Sequence, residues 1–200
     1  MGNITVWVGL CLMSAATVGL AQGNPSAGKD KAETCGACHG VDGNGSAPIF
    51  PKLASQHAGY LAKQLHDFKD KKRADPTMSA LAEPLTDADI ADLSAYYAGQ
   101  KITIEPGPAN NALGQKIYLT GNLETGVPAC TGCHGPDGKG NPQAVFPQVN
   151  GQYAAYLEKT LKDFKTGARG NDPNGMMRSI AARLSEEEIS AVADYIARLK

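Results

Sequence analysis

Cys35-Gly36-Ala37-Cys38-His39 and, 95 positions further on (130 − 35), Cys130-Thr131-Gly132-Cys133-His134 are two copies of Cys-x-x-Cys-His. Each cysteine of such a string can add across a haem vinyl group as a thioether, and the histidine next to the second cysteine becomes the first axial ligand of the iron. The spacing therefore predicts two covalently bound haem c groups. Cys35, Cys38, Cys130 and Cys133 attach them, and His39 and His134 ligate the irons.

The sequence downstream of each motif also repeats. Phe50-Pro51-Lys52-Leu53-Ala54-Ser55-Gln56 stands against Phe146-Pro147-Gln148-Val149-Asn150-Gly151-Gln152, and Tyr60, Leu61, Lys63, Leu65, Asp67, Phe68, Lys69 and Arg73 recur as Tyr156, Leu157, Lys159, Leu161, Asp163, Phe164, Lys165 and Arg169. Half of the positions from 50 to 73 are identical to those 96 further on. Near the end of each unit Leu85-Thr86 matches Leu184-Ser185 and Ile90 matches Ile189, an offset of 99 (189 − 90). A duplicated domain with small insertions in its second copy accounts for this. The expected organisation is 1–21 as a signal peptide, 22–101 and 112–200 as the two domains, and 102–111 as a short linker marked by Pro106, Gly107 and Pro108.

The units read as mostly α. Tyr60, Leu61, Gln64, Leu65 and Phe68 recur at spacings of three and four, the period of one helix face. Ser185-Glu186-Glu187-Glu188 is a capping box at the start of the last helix, and Thr86-Asp87-Ala88-Asp89 reads as its weaker counterpart. No run alternates as a strand would.

An electron-transfer haem iron needs a second axial ligand, commonly Met or His. Met78 lies twelve residues before Ile90 and Met177 twelve before Ile189, so the repeat itself aligns one methionine per unit. Met176 aligns with Thr77, which makes it the neighbour of the expected ligand. His57 and His66 align with Tyr153 and Lys162 and do not recur, which places them at the surface or beyond the ligand sphere. Tyr60, Tyr156, Gln56, Gln152, Arg73 and Arg169 are paired between the copies, and three destinations stay open for them: haem propionates, a domain interface, or ordinary packing.

Ile4 to Leu20 is almost continuously apolar and closes on Gly19-Leu20-Ala21, small residues suited to a signal peptidase. Cleavage near Ala21 and a periplasmic destination are expected, with an uncleaved anchor as the alternative; no Lys or Arg precedes the apolar run. The net charge of −1 gives no basic face for nucleic acid. Cys11 is the fifth cysteine and lies within the leader, so the two motifs consume every other thiol. A zinc or thioredoxin-like use of Cys-x-x-Cys fits poorly: paired zinc knuckles stand about 15–20 residues apart, and Cys38 and Cys130 are separated by 92 (130 − 38).

With the two motifs, the aligned methionines and the Phe-Pro segments, the chain closely resembles the dihaem cytochrome c4 family. Asn171-Asp172-Pro173-Asn174-Gly175-Met176-Met177 is similar to the methionine segment of that family's second domain. The resemblance implies two tandem class I cytochrome c domains related by pseudo-twofold symmetry, with haem propionates facing each other at the interface. It implies that Pro51 and Pro147 offer their carbonyls to the axial histidines. It also implies a periplasmic one-electron carrier with no enzyme activity, loosely membrane-associated, passing electrons from a quinol-oxidising complex to a terminal oxidase or reductase. The alternative is the dihaem cytochrome subunit of a sulfur-oxidising enzyme such as flavocytochrome c sulfide dehydrogenase. A dihaem peroxidase would need an open iron, against which the two aligned methionines stand.

Overall fold

The computed structural model describes residues 23–200; the expected signal peptide and its cleavage site lie outside them. The first unit is built from α1 (Pro25–Lys31), α2 (Glu33–His39), α3 (Ala58–Lys69), α4 (Pro76–Ala82) and α5 (Asp87–Ala98). The second repeats the plan with α6 (Ala112–Thr120), α7 (Thr131–His134), α8 (Ala154–Thr166), α9 (Met176–Ala181) and α10 (Glu186–Ala197), with a short 3-10 turn at Pro173–Gly175. Among the described residues there is no strand ladder, only two isolated bridges, Asn122 with Val127 and Asn141 with Phe146. The architecture is mostly α, as expected.

Local chemistry sets the helix starts. Asn24 caps α1 by accepting from the Ser26 and Ala27 amides, with Pro25 at the first helical position. Both terminal helices carry complete capping boxes. Glu188 accepts from Ser185 N at 2.8 Å, and Asp89, one methylene shorter, still accepts from Thr86 N at 2.9 Å. Thr86–Asp89 is therefore no weaker in kind than Ser185–Glu188.

In each unit the first helix crosses the last, α1 on α5 and α6 on α10, while α3 and α8 close the core from the other side. The crossings are close because glycine occupies the contact. A Cβ on Gly28 or on Gly114 would overlap the backbone carbonyl of Asp92 or Ala191 and lie 2.8 Å from Tyr96 Cβ or Tyr195 Cβ. Around these crossings the cores bury Leu61, Leu93, Tyr96 and Tyr97 in one unit and Ile117, Tyr118, Ile189, Val192 and Ile196 in the other.

Several of the hydrogen bonds by which the units meet come in exchanged pairs. Gln56 bonds the backbone of Gln148 with both ends of its amide, Nε2 to O at 2.8 Å and N to Oε1 at 3.0 Å. Its repeat equivalent Gln152 does the same to Lys52, at 2.9 Å both ways. Arg73 donates to Tyr156 Oη and Arg169 to Tyr60 Oη, each at 2.9 Å. His57 Nε2 donates to Lys139 O at 2.7 Å, and the aligned Tyr153 hydroxyl donates to Asn44 O at 2.9 Å. Aligned residues with exchanged roles are the signature of a pseudo-twofold axis.

The linker is strapped down rather than loose. Thr103 donates N–H and hydroxyl to Asn44 Oδ1, and Lys52 Nζ donates to Thr103 O and to Gly151 O. Gly151 has φ +69°, and a Cβ there would lie 2.9 Å from Ile104 Cγ1. The first copy has Ser55 at this point, also left-handed at φ +59°, with its hydroxyl donating to Gln100 O.

Candidate functional site

Each Cys-x-x-Cys-His stretch is helical, so the second cysteine and the histidine come within about one turn of the first cysteine. Cys35 packs against the Leu61–Tyr97 cluster and Cys130 against the Ile117–Leu199 cluster. Burial raises the Cys35 thiol and pushes Cys130 up to about 11. Such surroundings disfavour a thiolate metal ligand and suit an uncharged thioether.

The histidines are held alike. His39 Nδ1 donates to Pro51 O at 2.9 Å, and His134 Nδ1 to Pro147 O at 2.9 Å. That bond fixes the tautomer and leaves the Nε2 lone pair for a metal. Burial lowers both imidazoles from their ordinary value, against the opposing pull of the proline carbonyls. Neutral imidazole is the form that ligates iron. Gly40 and Gly135, with φ +76° and +74°, end the two helices directly after the histidines.

The methionines lie at corresponding places. Met78 is half-buried in the first turn of α4, where its own N–H bonds the N-cap carboxylate Asp75 at 2.9 Å. The Asp75 charge raises the His39 imidazole, against the larger, opposing effect of burial. Met176 and Met177 are both half-buried at the start of α9. A clamp holds that segment: Asp172 Oδ2 accepts Arg178 N at 3.0 Å and its Oδ1 accepts Arg178 Nε at 2.7 Å. The Asp172 side chain is 3% exposed. Burial pushes its carboxyl up, but the two Arg178 hydrogen bonds more than reverse this and hold it below the ordinary carboxylate range.

A pKa lowered on folding contributes stability that is complete above the unfolded value and lost as pH falls through the folded one. Asp172→Asn is therefore expected to cost about 1–2 kcal/mol at neutral pH, as loss of a charge-assisted pair to a half-exposed arginine should. The deficit should shrink in acid below the ordinary carboxylate range. Denaturant titrations of both proteins at the two pH values check this; a deficit independent of pH counts against the clamp.

The interface completes the site. Gln64 Oε1 accepts from Arg73 Nη1 at 2.9 Å and from Arg169 Nη2 at 3.0 Å, bringing two guanidiniums to one neutral acceptor. Phe68 and Phe164 lie under them, 4.6 Å from guanidinium carbon to ring centre. Burial would raise the enclosed Tyr156 phenol, but Arg73 and Arg169 together pull it below its ordinary value. Among the described residues neither guanidinium has a carboxylate within salt-bridge distance. Two half-paired cations at an interface are costly, and the acidic propionates of two haems are the counter-charge that this environment suits. Arg73, Arg169, Tyr60, Tyr156, Gln56 and Gln152, for which sequence left three destinations open, all cross the interface. His57 does so too, through its bond to Lys139; its alignment with Tyr153 was the available signal, hidden because the residue type changes. His66 is a surface side chain 4.0 Å from Asp87.

Two units, each with a buried or half-buried imidazole tied to a proline carbonyl and two half-buried or exposed thiols on the same turn, define a tandem c-type cytochrome. The cytochrome c family model matches residues 26–100 and 111–200. Cytochrome c4 of Thiocapsa roseopersicina is 52% identical over 179 residues, covering 87% of this chain and 92% of that one. The crystal structure of reduced recombinant cytochrome c4 from Pseudomonas stutzeri superposes with a TM-score of 0.84 at 46% identity, over 89% of this chain and all of that one. A protein of Thiomonas intermedia described as a thiosulfate dehydrogenase electron acceptor is 38% identical over 93% of this chain and 89% of its own. The chain belongs to the dihaem cytochrome c4 family: it is an electron-transfer cytochrome that binds two haem c groups covalently.

Proposed function

We propose that this cytochrome is a periplasmic one-electron carrier whose irons are held by His39 with Met78 and by His134 with Met177. It takes electrons from a quinol-oxidising complex and delivers them to a terminal oxidase or reductase. The observation that carries the reading is the duplication of the whole set: a histidine locked by a proline carbonyl at 2.9 Å and a half-buried methionine at the start of a short helix, in both units.

The haem, when bound, supplies a one-electron ferric–ferrous couple. The chain's own residues do the rest. Pro51 and Pro147 orient the imidazoles, Cys35, Cys38, Cys130 and Cys133 would hold the haems covalently, and Met78 and Met177 would supply the sulfur ligands that keep water and peroxide away. Sites closed in this way support a carrier rather than an enzyme.

The apolar Ile4–Leu20 run supports export to the periplasm. Among the described residues no helix is long and apolar enough to cross a membrane, and peripheral membrane association is the form this reading takes. The Thiomonas relative's description favours a second reading of the donor, in which a sulfur-oxidising enzyme supplies the electrons.

Purified protein should carry two haem masses and, when oxidised, show the sulfur-to-iron charge-transfer band at the red end of the spectrum with an amplitude for two irons. Absence of that band removes the methionine assignment. Rapid reduction by a quinol-oxidising complex, set against reduction by a thiosulfate-oxidising one, decides the donor.

A further inference from the structure

The two units differ in how the segment between the axial histidine and its proline is built. In the second unit a one-residue insertion turns Asn141-Pro142-Gln143-Ala144-Val145-Phe146 into a closed six-residue turn. Its ends are tied twice, Asn141 N to Phe146 O at 3.0 Å and Phe146 N to Asn141 O at 2.9 Å. Inside it Asn141 Oδ1 accepts from Gln143 N and Ala144 N at 3.0 and 3.1 Å.

Val145 in that turn has φ +58°. A β-branched residue in the left-handed region is a genuine outlier, and such strain persists only where surrounding structure over-determines it. The same chain builds the same turn a second time with the expected residue. Asn122 to Val127 is tied by the same pair of bonds at 2.9 Å, Asn122 Oδ1 accepts Glu124 N, and the left-handed position is Gly126 at φ +71°.

The Asn141–Phe146 turn leads directly into Pro147, whose carbonyl holds His134. That carbonyl also packs on Gly140, where a Cβ would lie 2.5 Å from Pro147 O. In the first unit a Cβ on Gly45 would meet Phe50 O and the ring of Tyr153, both at 2.8 Å, and not the proline carbonyl, and no left-handed residue occurs between Gly45 and Pro51.

We propose that Val145 is a positioning residue for the second haem iron: its left-handed backbone closes the Asn141–Phe146 turn and thereby sets the Pro147 carbonyl against His134 Nδ1. The proposal rests on His134 being the axial ligand. A firm Nδ1–H···O bond makes the imidazole a stronger donor and favours ferric iron, so loosening the turn raises the reduction potential of the second haem alone.

The test is a redox titration of the intact dihaem protein together with proton NMR of the ring N–H groups of His39 and His134. Val145→Pro cannot adopt positive φ, and Asn141→Ala removes the two internal bonds while leaving the backbone pair. Both should raise the potential of the second haem, leave the first in place and speed deuterium exchange of the His134 ring proton. Val145→Asn, which tolerates the left-handed state, should keep both potentials and unfold at a higher temperature than the native protein. A purely structural turn would lower the unfolding temperature in Val145→Pro without moving potential or exchange, and that result overturns the proposal, as does an equal shift of both haems. If Val145→Pro does not fold, Asn141→Ala decides alone. Absence of any iron-shifted His134 signal in the native protein would instead remove the ligand assignment beneath the proposal.

Discussion

Met177→Ala should open the second haem to carbon monoxide in the ferrous protein and halve the red-end charge-transfer band, while Met176→Ala should do neither. The two side chains are adjacent on α9, which begins at Met176. Neighbouring residues on an α-helix point about 100° apart, so only one can address a given iron. The register comes from the repeat: Met177 stands at the point occupied by Met78, and Met176 at that of Thr77, an exposed residue with no ligand chemistry for iron. The backbone before α9 fixes that register. Asn174 and Gly175 are left-handed at φ +54° and +68°, and Asp172 reaches forward to the Arg178 amide, closing the loop over the intervening residues. Loss of the thioether, which favours ferrous iron, should also lower the second potential. Carbon monoxide binding by Met176→Ala and not by Met177→Ala would reverse the assignment. The first haem serves as the internal control, since Met78 is untouched.

The Cys-x-x-Cys-His motifs and the helical plan were legible because each depends on local pattern, and the methionine pair could be aligned because the chain repeats. A motif of fixed spacing, a capping box and a three-to-four periodicity are visible within one turn or one helix. The interface was not. Tyr60 and Arg169, or Gln56 and Gln148, meet only once two rigid units are docked, and no local rule fixes that docking. A faint signal existed: polar residues identical in both copies, on otherwise variable surfaces, are what a pseudo-twofold contact requires. The first helices escaped for a different reason. Gly28 and Gly114 occupy the same crossing, but they are 86 apart (114 − 28) whereas the motifs are 95 apart. The inserted turn around Leu123 hides the equivalence, and only the shared contact with Asp92 and Ala191 reveals it. Val145 was invisible because nothing in a sequence announces that a β-branched residue will be left-handed.

That crossing carries the largest expected effect on stability. In a helix interior alanine is favoured over glycine by about 1 kcal/mol, so on propensity alone Gly114→Ala would stabilise. The packing decides otherwise. The added methyl meets the Ala191 carbonyl and the Tyr195 Cβ, which are backbone or backbone-proximal atoms and not the far ends of flexible side chains. Relief requires α6 to move off α10, which would uncover Ile117 and Tyr118, now 1% and 0% exposed. Overpacking of this kind costs about 3 kcal/mol, enough to lower the unfolding midpoint of a unit this size by roughly 10 °C or more. Gly28→Ala should do the same through α1 and α5. Gly59→Ala is the matched control: its added methyl meets nothing within 4 Å, and the second copy already has Ala155 at that place. It should be neutral or stabilising by about 0.5 kcal/mol. Thermal unfolding of the three variants in the haem-loaded state tests the contrast, and a Gly114→Ala midpoint at or above the native one would show that the helices can part without loss.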